Sequence, residues 1–421
     1  MDMLIRAGKL ITAAEGEAVR LDQGILLEGG RIKAVANWAE FSPAEGLPVL
    51  DASRHTVLPG LVDAHTHVVH SGDPAEDWSL DAVTDLPAMT ALRAARQARC
   101  HLRMGVTTIC DLGARDWVDV ALRDAINAGW QPGPRMLVAG HGITATGGHM
   151  DPRRGLRPGL PLSALGGLGC VADSADEARR AAREQLMGGA DILKINASLS
   201  EYVRARGGYC SPELTGEAMR AICEVAHGAG RRVAAHCHGG PGVSAALAAG
   251  VDILEHGRFL TDQQLTEMAE RGVFLTPTLS PEARMLDAGA WPDNPGDRQW
   301  SEKAVAAMYT TVARAYSQGV KVIAGSDAGM PRVPHGGVAY EMYHLARAGL
   351  PIQAAIAAAT RLAAEALGLE AEIGQVRSGF WADLIVVEGD PTQDLAVLQQ
   401  RKRILVVIQK GRVAVDRRPG C

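Results

Sequence analysis

The run Leu61-Val62-Asp63-Ala64 ends in His65-Thr66-His67, two histidines with one residue between them. Successive side chains of a strand point to opposite faces, so residues two apart share a face. Two imidazoles converging on one point suit a zinc-type ion. Alone, such a pair favours the plainer reading of two incidental buried histidines. Further polar residues at comparable places shift the balance. Lys194 lies between Leu193 and Ile195 in an apolar run, which should turn its side chain inward. Burial disfavours an ammonium, and a neutral amine can take up CO₂ to form a carbamate whose two oxygens can bridge two cations. The competing reading is a lysine paired with an interior acid. His236 has His238 two residues on, so one could be a ligand and the other a substrate contact. His256 sits in Glu255-His256-Gly257, and Asp327 in Gly325-Ser326-Asp327-Ala328-Gly329. Small flanks let a carboxylate approach an ion or a substrate, although an Asp there could equally cap the next helix.

What must position these residues is a repeated strand–helix unit. Apolar runs at 61–68, 106–113, 135–140, 192–196, 232–238, 253–257, 274–279 and 320–329 alternate with helical patterns, several ending in Gly. Glycine suits the left-handed residue that closes a helix. Repeated βα units imply a parallel sheet, and eight of them predict a closed (β/α)₈ TIM barrel over 59–371. The strand cores are nearly continuous in Val, Ile, Leu and Ala, as strands buried on both faces should be. Every candidate lies within or at the C-terminal end of its strand, the end where barrel enzymes place their chemistry. Residues 1–58 and 372–421 have a different texture, short strands turned by glycines. Each is too small for a core of its own, so the two ends are expected to join in a small β-sandwich domain.

The bulk numbers exclude other classes. Of 421 residues, 47% are hydrophobic and 22% charged, with a net charge of -5. No basic tail or Lys/Arg run interleaved with aromatics points to nucleic acid. Seven cysteines form no CxxC, which argues against a disulfide framework and for a reducing, cytoplasmic setting. Charges interrupt the N-terminal apolar run early, so neither a signal peptide nor a membrane partner is expected. Residues 352–369 read as one amphipathic helix containing Arg361 and Glu365.

PGLVDAHTH (59–67), ILKINAS (192–198), AAHCHG (234–239), ILEHG (253–257) and AGSDAG (324–329), in that order, closely resemble the motifs of the amidohydrolase superfamily. GQVRSGFWADLIVVEGDP (374–391) is similar to the family's return strand, so the resemblance covers almost the whole chain. Together with the bridging-type lysine, TATGGHMD (144–151) looks most like the dipeptidase and imidazolonepropionase-like metal-dependent hydrolases. The resemblance implies two divalent metals, zinc by default. His65, His67, Lys194 and Asp327 would hold the inner one, and Lys194, His236 and His256 the outer one. Lys194 would be N6-carboxylated and bridge both. Two such cations would acidify a shared water. Asp327 would take its proton and pass it to the leaving nitrogen, as base and then acid.

The implied activity is hydrolysis of a C–N amide bond in a small molecule, a dipeptide or N-acyl amino acid. Hydrolysis or deamination of a cyclic amide, imidazolone or amidine, or a decarboxylation on the same site, is the alternative. A non-catalytic scaffold is the reading furthest from a chain that keeps all six ligands. A homo-oligomer is also implied. Three loops, 141–170, 197–214 and 280–299, are expected over the mouth. His149 in the first could bond a substrate carbonyl or oxyanion. In the second, Tyr202, Arg204, Arg206 or Tyr209 could hold an α-carboxylate, with solvated arginines an equal reading. Met285, Trp291 and Trp300 in the third could form an apolar lid. His70, His101, His227, His335 and His344 are expected to be structural or surface residues.

Overall fold

A computed structural model describes residues 2–153, 169–199, 210–289 and 295–418. Its strands, in chain order, are β1 (Met3–Leu10), β2 (Arg20–Glu28), β3 (Arg31–Asn37), β4 (Val49–Pro59), β5 (Leu61–Thr66), β6 (Val106–Asp111), β7 (Arg135–Val138) and β8 (Gly142–Thr144). They continue as β9 (Gly169–Val171), β10 (Ile192–Asn196), β11 (Arg232–Gly239), β12 (Ile253–Phe259), β13 (Phe274–Thr276), β14 (Leu384–Val387), β15 (Ile404–Gln409) and β16 (Arg412–Asp416). The fold is mixed α/β, with parallel sheets between β5 and β13.

Strands from both ends of the chain form one seven-stranded sheet, β16-β15-β14-β4-β1-β2-β3. β4 is its hinge: it runs parallel to β1 on one side and antiparallel to β14 on the other. Alternate residues Ile5, Ala7, Val57, Leu384 and Val386 are buried in one apolar cluster. Two parallel sheets carry the rest, β5-β6-β7 and β13-β12-β11-β10-β8-β9. Strands β5, β6, β10 and β11 are buried along nearly their whole length, and helices such as Pro87–Arg103, Ala175–Met187 and Gly216–Gly228 cover the sheets with one apolar face each.

Four predicted segments differ. The run at 135–140 forms β7 over Arg135–Val138, paired with β6, and a separate strand, β8, follows and pairs with β10. Gly140 turns between them at φ 64, and its N–H goes to the Asp119 carboxylate at 2.8 Å instead of to a neighbouring strand. The expected strand at 320–329 is a segment held by isolated bridges, Leu275↔Val322, Thr66↔Ala328 and Ala328↔Met330, rather than by a continuous ladder. It bonds β13 through Ile323 N–H to Leu275 O (2.9 Å) and β5 through Ala64 N–H to Ala324 O (3.0 Å). The carbonyls of Ala358 and Ala359 take the amides of Ala324 and Val62, at 2.9 and 2.8 Å, and so interrupt the ladder. The same place breaks the single helix expected over 352–369 into Ile352–Ala358 and Arg361–Ala366. The loop expected over 280–299 begins with a helix, Ser280–Asp287.

Candidate active site

The C-terminal ends of β5, β11 and β12, with the segment after residue 320, deliver their polar side chains to one cleft of about 680 Å³, counting its open mouth. His65, His67, Lys194, His236, His256 and Asp327 all line it, as do His149 and His238. Tyr209 and Arg204, with Tyr202 and Arg206, lie outside the described residues. Met285 reaches the cleft wall. Trp291 lies outside the described residues, and so does the side chain of Trp300.

Hydrogen bonds set the tautomers. The Gly113 carbonyl can only accept, so the His67 ring nitrogen 3.2 Å away, Nδ1, carries the proton. His65 Nδ1 lies 2.7 Å from the Glu255 carboxylate. Donation from both Nδ1 atoms leaves both Nε2 atoms as lone-pair acceptors, and these face each other at 3.3 Å. Asp327 Oδ1 stands 3.5 Å from each of them. Three acceptors converging without a proton repel; a cation among them reverses the sign. One ligand atom each from His65, His256 and Asp327 lies within 4.8 Å of the others.

The second half of the cleft tells the same story through burial. Lys194 is 1% exposed, and its ammonium has no hydrogen-bond partner among the described residues. Desolvation pulls its pKa below 10.5, against the pull of Glu255 and Asp327. Burial also pushes the imidazoles of His65, His236, His238 and His256 well below 6.5, helped by neighbouring cationic groups, and that of His67 down to about 3. Neutral imidazoles are the form that ligates metal. His236 Nε2 lacks a partner among the described residues. His149 stacks on the His236 ring, centroids 3.9 Å apart. These donors therefore fit divalent cations.

The backbone holds this arrangement under strain. His256, Thr278 and Asp327 all have positive φ, 69°, 47° and 55°, a region that non-glycine residues rarely adopt and that clusters at functional sites. Thr278 Oγ1 lies 2.7 Å from His256 Nδ1, and Asp327 N–H donates to His65 O at 2.9 Å. Glu255 and Thr278 are parts of the site that the sequence reading missed. The available signal for Glu255 was an acid inside the apolar run Ile253-Leu254, and it proves fully buried, its pKa raised by desolvation to about 7. His335 does not line the cleft. It links His101 Nε2 (2.9 Å) to the His70 carbonyl (2.8 Å) behind it.

Known proteins resemble this chain along nearly its whole length. A Xaa-Pro dipeptidase with methionine bound in its active site is 32% identical, covers 98% of this chain and 99% of its own, and superposes with a TM-score of 0.88. A prolidase in complex with N-methylphosphonate-L-proline superposes with a TM-score of 0.88 at 27% identity, over 99% of this chain and 100% of its own. Ochratoxinase from Aspergillus niger is 28% identical over 97% of this chain and 86% of its own length. Imidazolonepropionase from Symbiobacterium thermophilum is 25% identical over 98% and 97%. The model of the Amidohydrolase family matches residues 56–414. With hydrolases aligned end to end and a histidine–aspartate cleft in place, this chain is a hydrolase and belongs to the amidohydrolase family.

Proposed function

We propose that the chain is a binuclear metal-dependent hydrolase that cleaves a C–N amide bond in a small molecule, a dipeptide or an N-acyl amino acid. The observation that carries this is the convergence of the His65 and His67 Nε2 lone pairs and the Asp327 carboxylate. His65, His67 and Asp327 would hold one cation, and His236 and His256 a second. Lys194, as its carbamate, would link them. Zinc fits nitrogen-rich ligation best, while the oxygens would also accept other divalent ions. Divalent cations held there supply Lewis acidity, acidifying water and polarising a carbonyl.

The remaining chemistry belongs to the chain. Asp327 accepts the proton of the attacking water and returns it to the leaving nitrogen. His149, stacked on His236 at the cleft wall, donates to the oxyanion. His238 is a substrate contact on the same wall. Glu255 holds His65 in the ligating tautomer. The prolidase and Xaa-Pro dipeptidase relatives support a dipeptide substrate, and ochratoxinase supports a hydrolase. A cyclic amide is the second reading, supported by the imidazolonepropionase relative. Metal-replete enzyme against dipeptide, N-acyl amino acid and imidazolone panels, read by amine release and ring opening, decides between them. Silence across the first two panels, with turnover of the third, would displace the main reading.

The same reading extends to the frame. The bonds from the 320–329 segment to both β13 and β5 support a closed eight-membered barrel over 59–371. The seven-stranded sheet supports a small end domain of 1–58 with 372–421. Leu80, Val83, Leu86, Met89 and Leu92 stand exposed at every third position, Leu86 at 73%, and such an apolar row supports a homo-oligomer. Free thiols at Cys100, Cys110, Cys170, Cys210, Cys223 and Cys237 support a cytoplasmic setting.

A further inference from the structure

His149 reaches the cleft wall on a turn, Thr144-Ala145-Thr146-Gly147-Gly148-His149-Met150, that leaves the end of β8. Two glycines, the residues with the widest backbone freedom, stand directly before the histidine. Its ring nevertheless lies nearly parallel to that of His236, with 13° between the planes and 3.9 Å between the centroids. A group that acts on a reacting atom must be held to within about 0.5 Å by its surroundings. Asp173 and Asp151 accept the amides of Thr146 and Gly147, at 2.8 and 2.6 Å, on the outer arm of the turn. The amide of His149 itself goes to Glu213 Oε2, at 2.8 Å.

The other oxygen of Glu213 closes the turn from inside. Oε1 accepts the Ala145 N–H at 3.2 Å and the hydroxyl of Thr144. Thr144 Oγ1 in turn accepts the Met150 N–H at 3.3 Å. One carboxylate therefore pins the turn at its start, at the histidine and, through the hydroxyl, one residue beyond. Hydrogen bonds to an ionised acceptor are stronger than the neutral ones of an ordinary turn. Gly148 makes room for that carboxylate. A Cβ built on it would lie 2.2 Å from Glu213 Oε1 and 2.5 Å from Thr144 Oγ1. Gly147 has φ 68, whereas Gly148 has no positive φ, so Gly148 serves the space and not the backbone. Glu213 is fixed in its turn to the metal frame. Its N–H donates to Ala197 O at 3.1 Å, and Leu214 N–H to Asn196 O at 3.4 Å. Both acceptors lie at the end of β10, the strand that carries Lys194.

We propose that Glu213 is a positioning residue for the reaction: standing behind the cleft lining, it locks the turn of His149 to the end of β10 and so aims the imidazole at the reacting carbonyl. The inference rests on the oxyanion role given to His149. It assigns Gly148 a purpose as well, the cradle without which the carboxylate could not enter the turn.

The test compares full-length, zinc-loaded wild type with Glu213→Gln, Gly148→Ala, His149→Ala and the Glu213→Gln/His149→Ala double variant. A glutamine keeps the shape but must set its NH₂ against the N–H of Ala145 or of His149. A methyl on Gly148 evicts the carboxylate without altering it. Turnover is read on the member of the dipeptide, N-acyl amino acid and imidazolone panels that the wild type cleaves. The place of the His149 ring is read from crystal structures, and bound zinc by elemental analysis. Glu213→Gln and Gly148→Ala should each lower kcat about 10–100-fold, with KM within about twofold and zinc content unchanged. In both, the His149 ring should leave His236. On the His149→Ala background, Glu213→Gln should change kcat by less than about twofold, because the two residues act as one. An equal loss on both backgrounds would make the effect of Glu213 independent of His149 and overturn the proposal. So would an unmoved His149 ring in Glu213→Gln, or zinc lost from that variant. Wild-type kcat in His149→Ala, with the ring still displaced in Glu213→Gln, would instead sink the oxyanion role and take the positioning role with it.

Discussion

At the scale of single residues, the site rests on which nitrogen carries a proton. Gly113 O fixes His67, and Glu255 fixes His65. Replacing Glu255 by Gln keeps an acceptor of the same shape but removes the charge that makes His65 a stronger ligand. Metal affinity should fall about 10–100-fold, measured by competition with a chromophoric chelator. Asp327→Asn removes the proton carrier and leaves the imidazoles. Turnover should fall about 10²–10⁴-fold while metal content, measured by elemental analysis, largely persists. Substantial residual kcat in that variant would count against the role given to Asp327. His65, His67, His236 and His256 were legible because strand alternation and strand ends dictate where they point, and Asp327 through the small residues that flank it. Glu255 was not, since its neighbour His256 drew the chemical reading of that strand. The positive φ of His256 and Asp327 is also absent from any sequence pattern.

At the scale of elements, the βα alternation was legible along the core because both-faces-buried strands and Gly-capped helices leave strong patterns. What escaped was where a ladder is interrupted by groups distant in sequence. Asp119 claims the Gly140 amide, and Ala358 and Ala359 claim those of Ala324 and Val62. No local propensity encodes such contacts.

One inter-element contact has a pH signature. His335 ties the Pro87–Arg103 helix, through His101, to the loop at His70. Burial lowers the His335 pKa from 6.5 to about 4 and that of His101 well below 6.5. The unfolded chain therefore binds protons that the folded one excludes, and stability contributed here falls as pH drops from 6.5 toward 4. His335→Gln should flatten that loss by up to about 1.4 kcal/mol per pH unit, while losing about 1 kcal/mol at pH 7 from the weakened link. Urea unfolding at both ends of the window checks the sign. A variant whose stability still falls as steeply as the wild type's would remove His335 from the acid response.

At the scale of the molecule, candidate ligands from β5, β10, β11, β12 and the 320–329 segment line one cleft. Cations bound only by the folded state should raise its stability by mass action, about 2.7 kcal/mol at a hundred times Kd. Dialysis against a chelator should therefore lower the melting temperature, and restored zinc should return it. Among the described residues no helix is long and apolar enough to cross a membrane.

The seven-stranded sheet has a consequence for synthesis. β4 is complete by Pro59, but its partner β14 begins only at Leu384. At ribosomal rates of roughly 5–20 residues per second, that edge waits roughly 15–65 s with Val57 and Leu58 uncovered. An open apolar edge is a template for pairing with another nascent chain. Termination before residue 372 should thus yield a product that pellets rather than one that merely lacks a domain, and full-length yield should depend on holding chaperones during that interval. The last strands to be made are the ones that close the first.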